Sequence, residues 1–170
     1  MRTIRAATVN DIPAIRQLAS DTWPNAYGHI LSAEQIAYML ELFYSTESLQ
    51  QQMLAQHVSF LLLEDDNKPV GFASFAAKAG DEKIYHLHKL YVLDEMQGTG
   101  AGKALLQAVA AQCSDSGASR LRLNVNRHNK ALHFYIKQGF AIAGQEDIDI
   151  GNGYFMNDFI MEKELASPAI

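Results

Sequence analysis

Residues 97–102 read Gln97-Gly98-Thr99-Gly100-Ala101-Gly102 and join a strand-like run to a helix-like run. The run before them is His86-Leu87-His88-Lys89-Leu90-Tyr91-Val92, with two histidines and an aromatic and β-branched end. The run after them, Lys103-Ala104-Leu105-Leu106-Gln107-Ala108-Val109-Ala110, is made almost wholly of good helix formers. A strand therefore has to end and a helix begin within this junction. Its three glycines leave backbone N–H groups bare of side chains at a helix start. Orphan donors and the positive end of the helix dipole together suit a phosphate.

Spacing separates the kinds of glycine loop. A P-loop needs G-x-x-x-x-G-K-S/T, whereas Ala104 follows Lys103 here and Gly98 to Gly102 is one residue too short. A dinucleotide fingerprint needs G-x-G-x-x-G, and Lys103 stands where its last glycine should be. Asp115 lies near the distance of the ribose-binding acid, but within a helix-like stretch. The spacing that fits is Gln97-x-x-Gly100-x-Gly102. It resembles the Q/R-x-x-G-x-G/A motif of the GNAT superfamily, the acetyl-CoA-dependent N-acetyltransferases, whose loop amides hold the pyrophosphate of coenzyme A. A second segment, Asn126-Arg127-His128-Asn129-Lys130-Ala131-Leu132-His133-Phe134-Tyr135-Ile136-Lys137-Gln138-Gly139-Phe140, is similar to that family's N-x-x-A-x-x-F-Y-x-x-x-G-F signature. Its physics is readable alone. Asn129 is a good N-cap, 131–138 is helical in composition, and Gly139 is a C-cap glycine before a new strand.

At 170 residues one domain is the default, and 48% hydrophobic with 19% charged residues is a globular composition. We take 1–165 as a single acetyltransferase domain and 166–170, like Met1-Arg2, as loose chain. The lone cysteine, Cys113, excludes an internal disulfide and reads as a packing residue. No apolar run reaches about 18 residues and the N-terminus lacks a signal core, so we expect a cytoplasmic protein with no membrane partner. A net charge of −5 argues against nucleic acid and favours cationic ligands.

The coarse pattern gives a first strand at 3–7 and a helix over 10–23 with Ile12, Ile15 and Leu18 on one face. A capped helix follows from Ser32 to Phe43, then another over 47–56. Strands at 58–63 and 69–77 meet at Asp65-Asp66-Asn67-Lys68. A strand at 84–92, the glycine loop and its helix lead to a half-buried strand at 120–125. The helix after Asn129 and two last strands joined at Gly151-Asn152-Gly153 complete the chain.

The resemblance implies an α/β (α+β) fold with a mixed, mostly antiparallel sheet of about seven strands, splayed between strands four and five and flanked by helices. It implies acetyl-CoA as co-substrate and no metal. The cofactor would be held by Leu90, Tyr91 and Val92 through their main chain, by Gln97, Gly98, Thr99, Gly100, Ala101, Gly102 and Lys103 in the loop, and by Asn129 and Phe134. Tyr135 falls where the family places a tyrosine that protonates the departing sulfur, and a phenol is protonated at neutral pH. Phe134 and Phe140 flank it, so its other reading is an aromatic packing residue. His86 and His88 fall on one side of their strand, and His-x-His resembles arylalkylamine N-acetyltransferases. His86 is the first choice of base and His88 the second. A structural pair or half of a zinc site are the other readings, and the sequence offers no third ligand.

The acceptor is set by neither fold nor cofactor. Trp23 and Tyr27, in Thr22–Gly28, and Tyr154, in Gly153–Asp158, are the expected substrate contacts, and these segments look similar to bacterial spermidine/spermine acetyltransferases. A polyamine wants carboxylates, for which Glu34, Glu41, Asp147, Asp149 and Asp158 are candidates. Those enzymes usually carry acids on strand four, where this chain has histidines. The runner-up reading is a coenzyme A-binding relative without catalysis, acting as a sensor or interaction module; the intact Tyr135 and loop speak against it. An aminoacyl or antibiotic acceptor also stays open. Homodimers are common in the family, and the sequence marks no interface.

Overall fold

Thr8 ends the first strand and opens the first helical segment. Its Oγ1 accepts from the Asn10 N–H at 3.3 Å, while Asp11 Oδ2 accepts from the Thr8 N–H at 2.9 Å, a reciprocal cap. The computed structural model describes residues 1–166 and consists of two units, Met1–Ala76 with His88–Val109 and Ala77–Leu87 with Ala110–Ile170. The expected loose tail lies outside the described residues from 167 onward. Arg2 belongs to the first strand, paired with Asp65, because backbone pairing needs no particular side chain there.

The first unit holds β1 (Arg2–Ala6), α1 (Ile12–Tyr27), α2 (Ala33–Tyr44), α3 (Thr46–Leu54), β2 (Ser59–Asp65), most of β3 (Lys68–Lys78), the second half of β4 (Asp81–Val92) and the first half of α4 (Ala101–Asp115). β1 pairs antiparallel with β2, and β2 with β3. The β2–β3 turn is tight because Asp66 and Asn67 both take positive φ, 48° and 66°, which these residue types tolerate. Phe60–Leu63 and Val70–Phe75 are buried without alternation, as strands covered on both faces read. Ile12, Ile15 and Leu18 are buried along α1 as the helical period requires.

α1 does not stop at Trp23 as its sequence suggests but continues through Pro24 to Tyr27. Proline removes one helical bond, and the turn survives because the Gly28 N–H reaches Pro24 O at 2.8 Å and Trp23 packs on Tyr27. Thr22 Oγ1 also donates back to Leu18 O at 2.7 Å. Ser32 and Ser45 cap α2 and α3 through the Gln35 and Ser48 N–H groups, both at 3.1 Å.

The second unit holds the first half of β4, the end of α4, β5 (Arg120–Asn126), α5 (Ala131–Lys137), β6 (Ala141–Gly151) and β7 (Tyr154–Glu164). β4 runs parallel to β5, and β7 is antiparallel to both β5 and β6. The β4–β5 register runs from Ile84↔Arg120 to Leu87↔Leu123, while the β5–β7 register extends to Asn126↔Asp158. Seven strands in the order β1-β2-β3-β4-β5-β7-β6 give the expected mixed sheet with one parallel pair. Leu87, Leu121, Leu123, Val125 and Met161 form the core here with Cys113, whose thiol burial pushes up to about 12, as befits a packing residue.

Candidate active site

In the first unit, a 3-10 turn at Asp94–Met96 drops the chain from β4 into the glycine loop, an element the sequence pattern does not show. Gly98 and Gly100 take φ of +79° and +83°, and a Cβ at either would meet nothing within 4 Å. Backbone handedness explains these glycines, since L side chains are strained there, and the open space fits a ligand approaching the main chain. The first α4 bond runs from the Ala104 N–H to Gly100 O at 3.0 Å. The N–H groups of Ala101, Gly102 and Lys103 therefore precede the helical ladder at the positive end of a 15-residue helix. Such a cradle fits the pyrophosphate of coenzyme A. Gln97 and Thr99 are exposed beside it, and Arg2 donates to Thr99 O at 3.0 Å.

β4 reaches this loop through Leu90, Tyr91 and Val92, all half-buried. Gly71 lets β3 approach their main chain closely. A Cβ there would stand 2.9 Å from Tyr91 O and 2.8 Å from Val92 Cγ1. The Tyr91 ring lies 5.9 Å from Trp23 and 5.8 Å from Phe72, and its hydroxyl is 2.7 Å from that of Tyr27. Trp23 and Tyr27, the expected substrate contacts, pack at 4.6 Å. Glu34 and Glu41 are exposed on α2, and His88 is exposed on β4.

Lys89 is the first-unit residue that the motif reading missed. Its Nζ donates to Gln52 Oε1 at 2.6 Å and lies over the Tyr44 and Phe60 rings at 5.2 and 5.7 Å. Burial pushes its pKa down to about 8. The signal was strand alternation, which puts Lys89 on the same face as Leu87 and Tyr91.

In the second unit, Tyr135 is buried on α5, edge-to-face with Phe134 at 5.2 Å and Phe140 at 5.7 Å. Asn129 Oδ1 accepts from the Ala131 N–H at 2.9 Å, which makes it the side-chain cap of α5, one residue before the helical boundary. His86 is half-buried opposite Arg122 in the parallel ladder. Burial first, then Arg122 and Lys78, lower its pKa below 6.5, while Glu146 opposes them. It is held toward the neutral, proton-accepting form. His86 and His88 share one side of β4 but belong to different units.

Asp158 is 3% exposed on β7, facing Asn126 and Glu146 across its two ladders. Asn124 Nδ2 donates to Glu146 Oε1 at 2.7 Å and to Asp158 Oδ2 at 3.4 Å, so one amide serves two carboxylates. Burial and the Glu146 charge push Asp158 up to about 6, against the Asn124 hydrogen bond. The other acids are engaged locally. Asp147 pairs with Arg127, and Asp149 accepts from the Gly151 N–H at 2.8 Å. Tyr154 is half-buried at the start of β7. Among the described residues, no three His, Cys, Asp or Glu side chains are grouped to hold a metal, and no helix is long and apolar enough to cross a membrane.

Known proteins give the loop and the α5 segment a context. An acetyltransferase (GNAT) domain model matches residues 30–162. An uncharacterized N-acetyltransferase of Mycobacterium tuberculosis is 32% identical over 158 residues, covering 92% of this chain and 99% of the relative. A spermidine N(1)-acetyltransferase of Thermoplasma acidophilum is 28% identical over 169 residues, covering 96% and 98%. The crystal structure of PaiA N-acetyltransferase from Thermoplasma acidophilum in complex with coenzyme A superposes with a TM-score of 0.82 at 28% identity, covering 96% of this chain and 99% of that one. The family model and these relatives show that the chain belongs to the GNAT family, as an acetyl-CoA-dependent N-acetyltransferase.

Proposed function

We propose that this N-acetyltransferase acetylates a primary amine of the polyamine class by direct attack in a ternary complex. Acetyl-CoA, when bound, supplies the activated acetyl group. The N–H groups of residues 98–103, with Gln97, would hold its pyrophosphate, and the main chain of Leu90, Tyr91 and Val92 its extended arm. Asn129 and Phe134 would add contacts from α5. Tyr135 Oη holds the proton given to the leaving sulfur. His86 takes the ammonium proton, with His88 as second choice, and a neutral imidazole suits that task.

The observation that carries the acceptor class is Asp158. A buried carboxyl raised to about 6 beside Glu146 is expensive to ionise alone. A cation placed against the pair relieves that cost, so binding energy favours an acceptor with a second ammonium group. Tyr154, half-buried on the strand that carries Asp158, supplies an aromatic face for the methylene chain, whereas Trp23, expected as a substrate contact, is 4% exposed and closed to a ligand. The spermidine-acetylating relative supports the same class.

The test compares spermidine with a monoamine of similar length. We expect kcat/KM for spermidine to be higher by about tenfold, the size of one well-formed charge contact. Equal or better use of the monoamine contradicts the polyamine reading. The same assay across pH checks His86: the native rate should fall as pH drops through a value below 6.5, and His86→Gln should remove that limb. Superimposable profiles exclude His86 as base.

A further inference from the structure

We propose that the paired hydroxyls of Tyr27 and Tyr91 form a latch that sets the position of the α1 end according to whether coenzyme A lies along β4, making both tyrosines positioning residues for the acceptor. The inference rests on the cofactor-binding reading above. Three features of the first unit point to it. The last turn of α1 begins at Pro24, which cannot donate to Ser20 O, so this turn has lost one of its own bonds and can pivot. The hydroxyl contact at 2.7 Å ties that turn to β4. Tyr91 runs beside Gly71, which has no side chain to hold it in place, and its ring is packed on Trp23 and Phe72, so a displacement of its main chain moves the ring with it. A ligand hydrogen-bonded to the 90–92 backbone thus has a mechanical path to Tyr27 and Trp23.

The chain carries its own reporter. Trp23 is its one tryptophan, it is 4% exposed, and its ring meets Tyr44 edge-on at 5.7 Å. With Tyr27 at 4.6 Å and Tyr91 at 5.9 Å also against the indole, a shift of the latch changes the surroundings of its ring and should register in its emission. Coenzyme A binding is followed by calorimetry while indole emission is recorded at saturating ligand. Native protein should show a distinct emission change on binding. Tyr27→Phe and Tyr91→Phe should each cut that change by about half or more, and the double variant should go no further than either single one, as expected for two halves of one contact. With an accepted amine, each variant should raise the acceptor KM about five- to tenfold more than it lowers kcat, the size of one lost hydrogen bond. Calorimetric binding with no change in native emission, or equal changes in native and variant proteins, overturns the latch alone. Failure of coenzyme A to bind native protein overturns the cofactor reading and the latch with it.

Discussion

Lys89 in the first unit and Asp158 in the second are both shifted by burial, and they sit in opposite settings. Lys89, in the first unit, meets a neutral amide and two ring faces, and its pKa falls to about 8. Asp158, in the second, meets another carboxylate and a shared amide, and its pKa rises to about 6. Burial moves both toward neutrality. The surroundings differ in what they leave for function. Around Lys89 the neighbours are Tyr44, Phe60 and the helix-bound Gln52, which also donates to Phe43 O at 3.0 Å, so the amine is absorbed into packing. Around Asp158 are Glu146, Asn124 and Arg127, and His86 senses the same Glu146. The second unit therefore sets His86 and Asp158 around the shared Glu146 charge, whereas the first presents a backbone cradle on an aromatic base. In our reading one unit holds by main chain and the other reacts by side chain.

The largest effect should come from the reactive side chains. Tyr135→Phe should lower kcat by about 10²- to 10⁴-fold, the range for losing a general acid, with little change in coenzyme A affinity. An unchanged rate removes Tyr135 from the chemistry and leaves it a packing residue.

The two buried charges give mirror-image stability profiles. The folded state depresses Lys89 from 10.5 to about 8, so the unfolded chain binds more protons in that window and stability rises with pH across it. Asp158 is raised from 3.8 to about 6, so the folded chain binds more protons there and stability falls as pH rises across that window. Each change is roughly 3 kcal/mol at most. Urea melts of Lys89→Met and Asp158→Asn against native protein should each differ from the native pH slope only in that residue's own window. A variant slope that superimposes on the native one in its window breaks the contrast.

The smallest effect should be at the loop. Gly100→Ala must adopt φ near +83°, a strain of about 1–2 kcal/mol, and should weaken coenzyme A about tenfold while kcat changes little. A matching loss in kcat would blur the division between holding and reacting.

Local chemistry was legible in the sequence. Asn152-Gly153 turns the last hairpin with φ of 55° and 79°, and Gly139 ends α5 at φ 95°, because short-range backbone preferences decide both. The glycine loop and the α5 segment were legible for the same reason. Long-range contacts were not. The passage of α1 through Pro24 depends on Trp23 meeting Tyr27 and Tyr91, and the seating of Lys89 depends on Gln52, 37 positions earlier. The Asp158–Glu146 juxtaposition follows from the β6–β7 register, which bulges between Ile142 and Gly144 and between Asp149 and Gly151. Alternation marks a face of a strand and leaves its cross-sheet partners undetermined.

Acetyl transfer by this chain is tested by thiol release from acetyl-CoA over a panel of amines that includes spermidine, with the product weighed by mass spectrometry. One thiol should be released for each amine that gains an acetyl group, on at least one polyamine. Stabilisation of the protein by acetyl-CoA with no thiol released on any amine would contradict it and favour the cofactor-binding module.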